Sequence, residues 1–235
     1  GDVAKAYHAR AKAVLLGPEE TLSRECEELE RLAALTGNWH GVTETYQERI
    51  GKGIAPHMGI LVYRRIAQVA EQHLSRLDLA ISALNEACGL SEFRDEACLS
   101  ELQRLYLQTE DWKNAHDILE KRFQRATGAE EKRTHLEAMS DLEHHKLGQH
   151  ALALEHYIQI LNIEPNHVTA TQGLEAFRND PELRAEALHV LENVYRQQGK
   201  LEELGQLYEL RLLESGQPEA QLRLIDAACK LWEEE

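Results

Sequence analysis

Histidine is the first side chain here that invites a chemical reading. There are 12, and His144, His145, His150 and His156 fall within 13 consecutive residues. Imidazoles ligate metals and exchange protons near neutral pH. A zinc-binding helix places two of them at i, i+4 on one face, and no pair among these four has that spacing; only the geometry of a hairpin turn would bring His145 near His150. Cys26, Cys88, Cys98 and Cys229 form no CxxC pair, and each stands among apolar helical neighbours. The expectation is four buried free thiols, in keeping with a reducing compartment. No P-loop, GxGxxG, HExxH or GxSxG motif occurs, and Ser and Asp fall in no nucleophile–base pattern. Glu27-Glu28 and Glu233–Glu235 read as solvated faces. These residues predict no catalytic group, no metal site and no cofactor.

The elements that carry them are helices. Leu, Ala, Glu, Gln and Arg, all strong helix formers, dominate a chain of 235 residues that is 43% hydrophobic and 29% charged. β-branched residues never alternate in a run, so no strand is expected. The formal net charge of −15 repels nucleic acid and anionic lipid and reads as a solubilising surface. No apolar run approaches the roughly 18 residues that span a bilayer. No nucleic-acid partner and no membrane contact by the chain itself are expected, and the predicted location is cytoplasmic.

Five short segments recur between helical patterns, anchored at Trp39, Leu77, Trp112, His150 and Leu201, at intervals of 38, 35, 38 and 51 residues. Three residues after each anchor stand Val42, Ala80, Ala115, Ala153 and Leu204; seven after stand Tyr46, Leu84, Leu119, Tyr157 and Tyr208. Offsets of 3 and 7 lie on one helix face, so a small or short residue lets two helices approach and a large one fills the gap to the next pair. The helices before the anchors repeat as well: Cys26, Leu29 and Ala33; Leu99, Leu102 and Tyr106; Leu188, Leu191 and Tyr195. The units ending at Leu77 and His150 fit the same rule if their turns hold one extra residue, offering Tyr63, Ile66, Ala67 and Ala70, and Leu136, Met139 and Ser140. Trp39 and Trp112 are expected to pack the start of each second helix.

With its small Ala153, aromatic Tyr157 and closing Pro165, the segment LGQHALALEHYIQILNIEPNH (147–167) resembles a unit of the tetratricopeptide (TPR) family, and the remaining units resemble it more loosely. The longer stretch 180–212 is similar in style to long bacterial TPR arrays. The resemblance implies an all-α fold: a right-handed α-α superhelix, or TPR-like solenoid, of about 13 helices. The predicted organisation is a single solenoid over 1–235. Its hairpin units cover roughly 19–53, 55–90, 92–127, 129–164 and 182–215, spacer helices cover 2–16 and 167–178, and an unpaired terminal helix covers 218–233. Because a spacer helix followed by proline occurs at both Pro18 and Pro181, a larger repeat of about four hairpins plus a spacer is inferred, its second copy starting near 168. The lone last helix, with Leu222, Ile225, Cys229 and Trp232 on one face and acids at its C-terminus, points to a segment of a longer protein, with Trp232 as an exposed anchor.

The resemblance also implies a concave groove lined by first helices. The positions that face it in the family correspond here to Arg24, Glu27 and Arg31; Arg64, Gln68 and Glu71; Ser100, Arg104 and Gln108; Glu137, Asp141, His144 and His145; and His189, Asn193 and Arg196. Arginine forks suit carboxylates and backbone carbonyls of an extended or helical ligand. The lysine and asparagine clamp that holds acidic chaperone tails in some members of the family is missing. The reading is a non-catalytic protein-interaction scaffold that binds a peptide or helix, part of a larger bacterial assembly or regulatory protein. The alternatives are a structural spacer or self-associating rod, joined through its terminal helices, and a histidine-based metal or ligand site.

Overall fold

A computed structural model describes residues 2–214 and 218–233; the side chain of Trp232 lies outside the described part. The described residues form 13 α-helices, with a π-turn at Glu143–Leu147 and a 3-10 turn at Phe177–Asn179. The protein is all-α, its helices packing in sequence as antiparallel pairs. They are α1 (Asp2–Leu16), α2 (Glu19–Thr36), α3 (Trp39–Gly51), α4 (Pro56–Gln72), α5 (Leu77–Leu90), α6 (Glu96–Gln108), α7 (Trp112–Arg125), α8 (Ala129–Leu142), α9 (His150–Ile163), α10 (Val168–Ala176), α11 (Arg184–Gln198), α12 (Leu201–Glu214) and α13 (Pro218–Glu233). They divide into two compact units, Gly1–Arg122 and Phe123–Glu235.

Each of the five anchors is the first residue of a helix. The residues three and seven further on are all buried, from Val42 and Tyr46 to Leu204 and Tyr208. Two residues before every anchor the backbone enters the left-handed region: Gly37 (φ 72°), Ser75 (φ 53°), Glu110 (φ 58°), Gly148 (φ 65°) and Gly199 (φ 66°). That conformation ends a helix by turning the chain back on itself, and only glycine adopts it without a steric cost. The extra residue expected in two turns has a definite shape. Around Trp112 the closing bond runs from Asp111 N–H to the Tyr106 carbonyl, and around Leu201 from Lys200 N–H to the Tyr195 carbonyl. In the other two it reaches one residue further, from Arg76 to Ala70 and from Gln149 to Glu143. Before His150 the preceding turn widens to π geometry to absorb the insertion.

In the first unit α1 packs on α2 and α3, and Tyr7 Oη donates to the Asn38 carbonyl at 3.3 Å. In the second, α10 packs on α9 and α11. Tyr157, Leu161, Ala170, Leu174, Phe177 and Leu188 share one core there. Gly173 of α10 lies so close to α9 that a Cβ would stand 2.4 Å from the Tyr157 ring.

Three cysteines, Cys26, Cys88 and Cys98, are buried as free thiols, and burial pushes Cys26 up to about 11. Cys229 departs from the expectation: it is exposed on α13.

Candidate interaction groove

The first helices of the first unit are tied together by arginine–glutamate pairs. Arg65 of α4 donates to Glu30 at 2.9 Å and Glu27 at 3.1 Å, both on α2. Arg64 of α4 meets Glu101 of α6 at 2.8 Å. Arg104 of α6 forks onto both oxygens of Glu71 of α4, at 2.7 and 2.6 Å, and touches Gln108 at 3.3 Å. Arginine and glutamate thus alternate sides from one helix to the next, each guanidinium reaching a carboxylate one hairpin away.

Between α4 and α6 these pairs wall a cavity of about 640 Å³. Its apolar floor is Ile60, Leu61, Ala67, Leu84 and Leu105; its rim is Arg64, Arg65, Gln68, Glu71, Glu101 and Arg104. Each of the three rim guanidinium groups is matched by a carboxylate, Arg64 by Glu101, Arg104 by Glu71 and Arg65 by Glu27 and Glu30. Hydrogen bonding to Glu101 and to Glu71 raises the pKa of Arg64 and Arg104 respectively, so both stay charged. The Nε of Arg64 is buried and has no hydrogen-bond partner. Such a trough, apolar below and charged at the edge, can seat an extended or helical segment; it offers no nucleophile–base pair.

Of the residues singled out from the sequence, Arg64, Gln68 and Arg104 line this cavity, with Gln108 beside it. Arg31 stands elsewhere, in a smaller cavity between α1 and α2, paired with Glu28 at 3.1 Å. In the second unit His189, Asn193 and Arg196 are exposed on α11, and Arg196 donates to Glu192 and Tyr208, each at 2.9 Å. Asp141 and His145 are exposed and 3.8 Å apart.

His144 turns inward. Its Nδ1 lies 3.1 Å from Tyr157 Oη, and its ring stacks on Phe177 at 4.7 Å and on His145 at 4.3 Å. The imidazole that approaches His150 is His144, at 5.6 Å, and not His145. Burial, then His145 and His150, lower the His144 pKa. His156 meets the fully buried Glu143 at 2.7 Å. Among the described residues no group of three or more His, Cys, Asp or Glu side chains is placed to hold a metal ion.

Glu71 is among the groove positions that the resemblance implies, whereas Glu101 and Arg65 are not. A signal for such pairs exists: Arg65 follows Glu30 by 35 residues, and Arg104 follows Glu71 by 33. Opposite charges one repeat apart on first helices mark inter-hairpin pairs.

Comparison with protein families finds no match, and neither does comparison with curated proteins. Among solved structures, the crystal structure of BtubC (BKLC) from P. vanneervenii is similar at 16% identity and a TM-score of 0.42, over 92% of this chain and 91% of that one. So loose a superposition says nothing about ligands or partners. No described helix is long and apolar enough to cross a membrane.

Proposed function

We propose that the protein is a non-catalytic interaction scaffold of the TPR type, working in the cytoplasm as part of a larger bacterial assembly or regulatory protein. A peptide or helix of a partner protein lies along the α4–α6 trough. The observation that carries this reading is the trough itself: an apolar floor bordered by ion pairs that span neighbouring hairpins. Solvent-exposed pairs of this kind are worth only about 0–1 kcal/mol. A ligand carboxylate can therefore replace Glu71 or Glu101 in an arginine fork at little cost, while apolar ligand side chains cover Ile60, Leu61 and Leu105. Reversing charge at both Arg64→Glu and Arg104→Glu should abolish capture of partners in a pull-down while leaving helicity intact. Partners retained at unchanged affinity would remove the groove reading.

The same pairs favour a second reading, a structural spacer, because they brace successive first helices against sliding. The two readings part in the pull-down: a spacer loses stability with those substitutions and loses no ligand.

A further inference from the structure

Two of the buried thiols lie against each other. Cys88 stands in the last turn of α5 and Cys98 in the first turn of α6, and both are fully buried. The Cys98 thiol donates a hydrogen bond to the Cys88 sulfur. One five-residue connection, 91–95, ties both backbones. Asp95 caps α6 by accepting from the Cys98 N–H at 3.1 Å. The Cys88 carbonyl accepts from the Phe93 N–H at 2.7 Å and from Ser91 Oγ at 3.0 Å.

The contact between the sulfurs is asymmetric. The hydrogen bond from Cys98 lowers the Cys88 pKa, against burial, Asp95 and Glu101, which raise it. The same hydrogen bond, followed by burial, raises that of Cys98. Cys88 is therefore the sulfur that gives up its proton first, with Cys98 as the donor that steadies the anion. A thiol that serves only as a small apolar filler behaves like Cys26, which burial pushes up to about 11. Access to the pair comes through the connection. It holds two consecutive left-handed residues that are not glycine, Glu92 (φ 52°) and Phe93 (φ 57°), and each carries a steric cost. Short strained turns of this kind open more readily than the helices they join.

We propose that Cys88 and Cys98 are a reversible redox site, in which hydrogen peroxide converts the two thiols to a disulfide that links α5 to α6. The Cys88 thiolate attacks one peroxide oxygen and the O–O bond breaks. Cys88 becomes a sulfenic acid, and the departing hydroxide leaves as water with the proton Cys88 released. The Cys98 sulfur then attacks the Cys88 sulfur. The S–S bond forms, the S–O bond breaks, and the hydroxide takes the Cys98 proton as a second water. Two thiols are oxidised and one peroxide is reduced to two waters. Exchange with a small thiol restores the dithiol. The link joins the second helix of one hairpin to the first helix of the next, beside the trough: Leu84, one turn before Cys88, and Glu101, three residues after Cys98, both line that cavity. The chemistry of the pair does not depend on the trough holding a ligand.

The test uses the full chain with Cys229→Ser, which removes the exposed thiol. Native protein is treated with hydrogen peroxide, alkylated in denaturant and digested with trypsin, which cuts after Arg94, between the two cysteines. The expected product is peptide 77–94 joined to peptide 95–104, with the loss of two hydrogens per chain, and it should disappear on reduction with dithiothreitol. Cys26→Ala should leave the link unchanged. In Cys98→Ala, Cys88 should stop at the sulfenic acid, which dimedone traps. The linkage measurement needs no core substitution, so it decides the matter even if Cys98→Ala does not fold. Full alkylation of Cys88 and Cys98 after peroxide, a link that forms only in denaturant, or oxidation that falls on Cys26 instead, overturns the proposal.

Discussion

Ser75 and Glu110 hold the left-handed turn position that glycine holds in three other hairpins, and both are exposed. A side chain there costs about 1–2 kcal/mol, part of which glycine gives back as unfolded-state entropy. Ser75→Gly and Glu110→Gly should each raise stability by about 0.5–1 kcal/mol in urea titrations; a loss would mean the turn is held some other way. Gly173 makes the opposite case. Helix propensity alone favours Gly173→Ala by about 1 kcal/mol, yet the new methyl meets a Tyr157 ring fixed by His144 and Phe177. Overpacking of that sort costs about 1–3 kcal/mol, so a lower melting temperature is expected. His144 carries a pH dependence. Its pKa falls below the usual 6.5 on folding, so the unfolded chain takes the proton first. Its contribution is whole above pH 6.5 and is lost as the pH falls towards the folded value. His144→Phe should flatten that part of the stability profile.

At the level of helices, the hairpin pattern was legible because it depends on residue size at fixed offsets. The anchors and the residues three and seven beyond them are near neighbours in the chain, and helical geometry alone puts them on one face. Even the additional residue before Leu77 and before His150 showed as a gap in the register, though the π shape of the turn before His150 did not, since hydrogen-bond width leaves no mark on residue type. The groove was legible only in part. Arg64 and Arg104 stood out by charge, but which carboxylate each would meet depends on how far one hairpin is displaced from the next. For the same reason Arg31 was assigned to the groove and instead faces α1, and His144 was assigned to a surface and instead joins the Tyr157–Phe177 core. The Arg104–Glu71 pair is exposed enough that a double-mutant cycle should give a coupling of about 0.2–1 kcal/mol. A markedly larger value would make it a brace before it is a binding edge.

Over the whole molecule two properties dominate. One is the charge of −15, against which the trough concentrates three guanidinium groups, each held in an ion pair that a ligand carboxylate can enter. Partner capture through that trough should weaken as salt rises, because the attraction is screened over roughly 8–10 Å at physiological ionic strength. The other is a recurrence at 162 residues: Gly37 and Gly199 are both left-handed caps, and Tyr46 meets Glu30 at 2.7 Å as Tyr208 meets Glu192 at 3.2 Å. It bears on how such a chain changes length. Cutting out residues 37–198 would splice α2 directly to the turn before α12, with the left-handed glycine, the anchor and the closing tyrosine still in phase. Tyr208 would then meet Glu30 where it now meets Glu192. The shortened chain should remain helical and melt cooperatively by circular dichroism, whereas a cut of a few residues more or less should not. A slip of the genetic machinery by one full period would thus be silent to folding, and the block becomes a unit of inheritance as well as of packing.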